Sequence, residues 1–181
     1  MNLPRRKVFI SHYKGDRVEV DAFIRNFSSV FIPKVLGANN NDDFIDSTNT
    51  EYVMQRIRRL YLQDSTVTIV LLGNCTHARR YIDWEIKSSL RAGSNLPNGL
   101  MGISLPSTNN KVNLPERFES NWVQGHAHCY AKFWNYPTST RDLQDWIEDA
   151  QESRLTRAYL INNSDGMKRY NGKCKKCGET H

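Results

Sequence analysis

The feature that most constrains the fold is a β-branched and apolar run at 66–72, which Gly73-Asn74 ends. Its length is typical of a strand and too short for a helix. Because the run is apolar at nearly every position, both of its faces need cover. That requirement is typical of a central strand in a parallel sheet that lies between layers of helices. We therefore predict an α/β fold.

Shorter strand patterns and segments of helical periodicity alternate along the rest of the chain. This alternation predicts a mainly parallel sheet with helices on both faces, a three-layer fold that binds ligands beyond the carboxyl ends of its strands. Pro33 restricts the second strand to a sheet edge or marks a strand start, and 132–136 is predicted as an edge strand. The other predicted strands are 8–11, 31–36 and 100–105, and the apolar positions that mark helices lie in 18–30, 52–60, 78–92 and 143–150.

The chain of 181 residues is predicted to form one α/β domain over 1–163, followed by a flexible basic tail at 164–181. A polar loop is predicted at 37–50, where Asp43 and Asp46 are candidates for contact with a ribose. No apolar run approaches the roughly 18 residues of a membrane helix, and the first residues do not resemble a signal peptide. We therefore expect a cytoplasmic protein without a membrane partner.

Four cysteines, Cys75, Cys129, Cys174 and Cys177, are expected to be reduced thiols in that compartment. The pair at 174 and 177, with a histidine at 181, has the spacing of half a zinc site, and 126–129 contains further histidine and cysteine ligands. Since no second cysteine pair of the right spacing is clear, we expect no metal site.

Two segments resemble the TIR-like (Toll/interleukin-receptor-like) domains. The first is Arg6-Lys7-Val8-Phe9-Ile10-Ser11-His12-Tyr13, which is similar to the opening strand and loop of that family. The second is the strand at 66–73 followed by Asn74-Cys75-Thr76-His77-Ala78-Arg79-Arg80-Tyr81-Ile82-Asp83-Trp84-Glu85-Ile86, with an aromatic residue four positions before a glutamate. Together they resemble most closely the TIR-like protein of the bacterial Thoeris anti-phage system.

The resemblance implies a flavodoxin-like fold and an enzyme that cleaves the nicotinamide–ribose bond of NAD, with NAD as substrate and no other cofactor. It implies a cyclic or modified ADP-ribose product that activates a partner effector, and it implies self-association or a phage-derived trigger. The catalytic residue would be Glu85, and the substrate-binding residues would be Phe9, Ser11 and Tyr81. Tyr81 stands where many TIR enzymes have Trp.

The chemistry explains why a carboxylate is needed at this place. Loss of nicotinamide builds positive charge on the ribose, and a nearby carboxylate stabilises that charge, as in glycoside cleavage. On the helical wheel Glu85 and Tyr81 lie on the shoulder of the apolar stripe, at the border of the sheet. By periodicity alone, Glu85 equally fits a surface residue that pairs with Arg91 or Lys87, and Phe9 fits an ordinary core residue.

Two cations at the start of the same helix, Arg79 and Arg80, oppose the helix dipole. Contact with a diphosphate and a surface salt bridge explain them equally well. Two other functions also fit the sequence. The first is a non-catalytic TIR-like adaptor, against which Glu85 argues. The second is a nucleotide- or nucleic-acid-binding protein, which the basic tail favours although Tyr170 is its only aromatic residue.

Overall fold

The protein has one sheet of five parallel strands in the computed structural model, which describes residues 4–35, 49–91, 93, 95–126 and 128–180. The strands are β1 (Arg6–His12), β2 (Phe31–Val35), β3 (Val67–Leu72), β4 (Gly99–Ser104) and β5 (Lys132–Trp134). Their order is β2-β1-β3-β4-β5, and each neighbouring pair is parallel. The predicted α/β fold is therefore confirmed, with the strand that contains Pro33 at one edge and β5 at the other.

Helices cover both faces of this sheet. They are α1 (Arg17–Phe27), α2 (Thr50–Ile57), α3 (Arg80–Leu90), α4 (Glu116–Glu119) and α5 (Thr140–Thr156). Ser139 caps α5 because its hydroxyl accepts a hydrogen bond from the backbone N–H of Asp142 at 3.1 Å. With only four residues, α4 is too short to show a period in the sequence. Within the described ranges, no helix has the length and apolar character needed to cross a bilayer.

The alternation of side chains along the strands divides the core into two layers. Val8 and Ile10 of β1 face α1 and α5, together with Ile69 and Leu71 of β3. The other face packs against α2 and α3. Its buried apolar residues are Phe9, Val53, Ile57, Leu62, Val70, Leu72, Ile82, Trp84, Ile86, Leu90, Leu100, Phe118, Tyr130 and Ala131.

Two apolar residues that helical spacing assigned to the core are exposed. Val18 has 83% of its surface exposed because α1 buries the stripe that starts at Val20, about 200° away around the helix. Leu60 is 49% exposed because α2 continues as a π-helix at Arg58–Leu62, which turns Leu62 toward the core instead. Positions 37–48 of the predicted loop, with Asp43 and Asp46, lie outside the described residues, and the end of that loop is wrong because Thr50 begins α2.

The segment at 164–180, for which we predicted a flexible tail, packs against α3 and the loop before it. The indole Nε1 of Trp84 donates to the carbonyl of Lys168 at 2.7 Å, and the N–H of Gly172 donates to the carbonyl of Ala78 at 2.7 Å. Met167 packs on the apolar cluster around Phe9. The flexible tail was predicted from the charge of this segment. Charge does not reveal these contacts, because backbone groups form hydrogen bonds whatever the polarity of the side chains. We call this segment the C-terminal strap.

The close approach of β4 to α5 predicts a strong effect of one methyl group. A Cβ added to Gly99 would lie 1.8 Å from the carbonyl oxygen of Ala150, a backbone atom that cannot rotate away. We expect Gly99→Ala to lower the free energy of unfolding by about 1–3 kcal/mol in urea denaturation. Gly166→Ala is the control, because a Cβ there meets nothing within 4 Å. Equal stability of the two variants would contradict this packing.

Candidate active site

Alternation along β1 brings two of the predicted site residues to one face. Phe9 and Ser11 are two positions apart, so both point toward α2 and α3. Ser11 pairs in register with Val70 of β3, near the carboxyl end of both strands. The predicted residues of β1 therefore lie at the edge of the sheet where folds of this class bind ligands.

The predicted catalytic residue, Glu85, meets Ser11 at that edge. The hydroxyl of Ser11 donates a hydrogen bond of 2.5 Å to Oε2 of Glu85, and both side chains are buried. Burial raises the pKa of Glu85 to about 8, and the hydrogen bond from Ser11 lowers it by less. The carboxyl of Glu85 is therefore largely protonated near neutral pH in the ligand-free protein.

The cations that the sequence offered as partners for Glu85 have other contacts. The Lys87 ammonium donates to the carbonyls of Asn163 and Asp165, and Arg91 forms an ion pair with Glu51 at 2.8 Å. The helical wheel placed Glu85 at a border position, yet only 4% of it is exposed. This burial reflects further cover of α3 beyond the sheet, since eight of its 11 residues are buried.

The remaining predicted residues belong to the aromatic cluster beside Glu85. Tyr81 packs edge-to-face on Trp84, with 5.0 Å between ring centroids. Phe9 is fully buried in the same cluster, with its ring centroid 6.2 Å from that of Tyr61. Phe9 is therefore a core residue in this conformation, and its contact with a substrate stays a prediction.

The sequence left the contacts of Arg79 open, and the structure shows where its side chain lies. Only 5% of it is exposed, and its guanidinium lies 3.9 Å from the ring centroid of Tyr13. Its buried Nε and Nη2 have no hydrogen-bond partner among the described residues. Since buried polar groups are normally hydrogen-bonded, these two donors indicate a place for an anionic ligand.

A carboxyl group also lies at this edge of the sheet. The Thr76 hydroxyl donates to Oδ2 of Asp16 at 3.3 Å and accepts from the N–H of Gly73 at 2.9 Å. A Cβ on Gly73 would collide with the Asp16 carboxyl group, so a larger residue there would displace this carboxyl. Burial raises the pKa of Asp16 to about 6, while Thr76 and Arg79 lower it by less.

A buried ion pair that the sequence did not predict supports α3. Nε of Arg117 lies 2.8 Å from Oδ1 of Asp83, and their side chains are 4% and 5% exposed. Asp83 also accepts from the backbone N–H of Lys168, and Arg117 also donates to the carbonyl of Gly166. The pair therefore ties α3, α4 and the C-terminal strap together.

A surface cavity of about 860 Å³ lies at the opposite edge of the sheet, and its lining includes Ser65, Thr66 and Asn98, which come just before β3 and β4. It is separate from Glu85 and Ser11.

Comparison with known proteins agrees with this geometry. The family described as Thoeris protein ThsB, TIR-like domain, matches residues 9–110, which is more than half of the chain. The chain belongs to this family. No curated protein gives a match. The ThsB match begins within β1, extends past β4 and includes Ser11, Arg79 and Glu85, so these site residues lie within the matched region.

The raised pKa of Glu85 predicts how stability varies with pH. Between the ordinary pKa of 4.5 and about 8, the folded state retains a proton that the unfolded state releases. Rising pH therefore favours unfolding through this window, by at most roughly 5 kcal/mol in total. Urea denaturation should show that Glu85→Gln removes this loss, whereas Glu152→Gln, at an exposed position, keeps it. The same slope in both variants would contradict the burial of a neutral carboxyl.

The ion pair gives a second prediction about stability. Arg117→Met leaves the Asp83 carboxylate buried without its cation, and we expect a loss of about 3–5 kcal/mol in the free energy of unfolding. Arg141→Met is the control, because the side chain of Arg141 is 90% exposed. Chemical denaturation measures both, and a loss below about 1 kcal/mol for Arg117→Met would contradict the role assigned to the pair.

Proposed function

We propose that this ThsB-family chain cleaves NAD, releasing nicotinamide and making a cyclic or modified ADP-ribose signal in anti-phage defence. The observation that carries the proposal is the buried carboxyl of Glu85, hydrogen-bonded to Ser11 at the carboxyl edge of the sheet. Membership of the Thoeris family supports the defence role. A raised carboxyl pKa at a ligand-binding edge is typical of a catalytic group.

The reaction requires a negative charge beside the ribose. The bond between the nicotinamide nitrogen and ribose C1′ breaks, and its electron pair leaves with nicotinamide, which becomes neutral. The ribose is left as an oxocarbenium-like cation, which water or a nucleophile of the same ADP-ribose captures with loss of a proton. An ionised Glu85 lowers the energy of this state, and Ser11 orients the carboxylate through its hydrogen bond.

The substrate itself supplies the reason for Glu85 to ionise. The nicotinamide ring of NAD carries a positive charge, and an opposite charge nearby lowers the pKa of a carboxyl group. Glu85 is neutral when buried alone and becomes a carboxylate as the ring binds. The negative charge of Glu85 therefore forms beside the ribose when the substrate binds. Before binding, the core contains no uncompensated carboxylate.

Arg79 is suited to the diphosphate of NAD. Its buried Nε and Nη2 are oriented for a bidentate contact with phosphate oxygens, and both are without a partner among the described residues. The guanidinium is fixed in place by the ring of Tyr13. Arg79 is the N-cap residue of α3 and Glu85 lies in the middle of this helix, about 9 Å further along its axis, a separation that a dinucleotide can span.

Access to Glu85 requires a change of conformation, because only 4% of it is exposed. This closed cover supports an enzyme that stays silent until it is triggered. We propose that self-association or a phage-derived component opens the site. The released signal then activates a separate effector protein, so the two proteins communicate through a nucleotide and need no direct contact.

Nicotinamide release from NAD tests the proposal. The purified protein is assayed with and without lysate from phage-infected cells, and we expect Glu85→Gln to reduce the rate by a factor of at least about 10² to 10³. Glu152→Gln, at an exposed position, should retain the wild-type rate. Absence of release by the folded wild-type protein under both conditions would reject the enzyme and favour the adaptor.

The pH profile of the triggered enzyme tests whether Glu85 must be ionised for catalysis. Since kcat/KM reports the free enzyme, it should rise with pH to a plateau above about 8, whereas kcat should level off at lower pH. Ser11→Ala removes the hydrogen bond that lowers the pKa of Glu85, so it should move the midpoint of kcat/KM to higher pH. An unchanged midpoint would contradict the assignment.

The diphosphate contact predicts a different kinetic effect. Arg79→Met should raise KM for NAD about 10- to 100-fold, the loss expected for hydrogen bonds to a charged group. Arg141→Met, on the exposed side of α5, should leave KM unchanged. A KM unaffected by Arg79→Met would remove Arg79 from the substrate site and leave the role of Glu85 to its own test.

A further inference from the structure

One cysteine comes together with a pair of cysteines that lies about 100 residues later in the sequence. Cys75 follows β3, and Cys174 and Cys177 belong to the C-terminal strap. Their Sγ atoms all lie within 4.8 Å of one another. In the described part of the chain this is the one cluster of three or more potential metal-ligating side chains. The sequence presented 174 and 177 as half of a zinc site, and folding adds the third sulfur.

The distances between the sulfur atoms suit a shared metal ion. Sγ of Cys75 is 3.1 Å from Sγ of Cys174 and 3.6 Å from Sγ of Cys177. A disulfide needs about 2.05 Å, and none of the three cysteines forms one. A tetrahedral zinc ion with Zn–S bonds of about 2.3 Å places its sulfur ligands about 3.8 Å apart. Small movements of the side chains therefore accommodate the ion.

The backbone around Cys174 and Cys177 is shaped as a tight turn that presents both sulfurs. Lys173 and Thr180 form an antiparallel bridge, and the N–H of Gly178 donates to the carbonyl of Cys174 at 2.8 Å. Gly178 has φ +78°, a left-handed conformation that favours glycine. The N–H of Lys176 points at Sγ of Cys174, 3.4 Å away, and a donor in this place favours the thiolate.

We propose that Cys75, Cys174 and Cys177 bind a zinc ion as thiolates, with a fourth position for water or another donor. Soft thiolate ligands in a tetrahedral arrangement select zinc. Each thiol releases its proton to solvent as it binds. The ion relieves the repulsion that three adjacent thiolates would otherwise experience, and lysines at 173, 175 and 176 offset the remaining negative charge.

The fourth cysteine belongs to a different part of the protein. Sγ of Cys129 accepts from the N–H of Val123 at 3.2 Å and donates to the carbonyl of His126 at 3.4 Å. The structure therefore does not bring the ligands at 126–129 to the pair at 174 and 177. Cys129 provides a matched control, because it is a buried thiol outside the cluster.

The zinc site would fasten the C-terminal strap to the loop that leads into α3. Next to the cluster, the N–H of Arg80 donates to Oδ1 of Asn171, and Gly172 bonds to Ala78. Arg79 and the first turn of α3 are thus held between β3 and the strap. The ion is structural in this role, and the inference stands independently of NAD cleavage.

Metal content of the purified, reduced protein tests the site. Elemental analysis after dialysis should give one zinc per chain for the wild type and for Cys129→Ser. Cys75→Ser, Cys174→Ser and Cys177→Ser should each lose the stoichiometric ion. Equal zinc in all variants, or none in the wild type after exposure to zinc, would overturn the proposal.

A second measurement avoids dependence on the folding of the variants. Cobalt titrated into metal-free wild-type protein should give the visible bands of a tetrahedral ion and a thiolate-to-metal charge-transfer band, and a chelator should lower the melting temperature of the zinc-loaded protein. Absence of the charge-transfer band would overturn the site. A reduced protein that binds no metal, and whose mass falls by two hydrogens on mild oxidation, would establish a disulfide instead.

Discussion

The ion pair between Asp83 and Arg117 joins the parts of the molecule on which the site depends. Its charges are almost fully buried, and each is satisfied by additional hydrogen bonds to the C-terminal strap. Burial of such a pair is costly unless its geometry is good, and loss of one partner leaves an uncompensated charge. The pair therefore fixes the position of α3 relative to α4 and the strap. Since α3 contains Glu85, the same contacts determine where the carboxyl lies against β1.

The buried ionisable groups at the carboxyl edge of the sheet suit a charged ligand. Burial favours the neutral acid of Glu85, and the hydrogen bond that the Ser11 hydroxyl donates opposes this effect only in part. Arg79 is buried with two donors that the described residues do not satisfy. The two unsatisfied donors of Arg79 are unfavourable when buried alone, whereas Glu85 ionises only at a cost unless a positive charge lies nearby. A ligand with a cationic ring and an anionic diphosphate would satisfy both, which is why their combination supports a dinucleotide substrate.

Local pattern predicted most of the fold. The apolar run of β3 identified a covered central strand, and Pro33 limited the second strand to an edge or a strand start. The errors arose where the apolar spacing of a helix was continued beyond the residues that form its buried stripe. Val18 lies before the buried stripe, and Leu60 follows the change to a π-helix. Charge composition likewise suggested a flexible tail, although the strap binds through backbone groups that composition does not reveal.

The sequence by itself determined the α/β class, the family resemblance and the choice of Glu85, because strand periodicity, helix spacing and short motifs are local. Tertiary structure decided which groups meet. It placed Ser11 against Glu85, gave Arg79 its buried position, and brought Cys75 within reach of Cys174, which is 99 residues away. These contacts depend on how the faces of separate elements pack against each other. A periodic pattern specifies that a face is buried, but it does not specify which distant residue covers it.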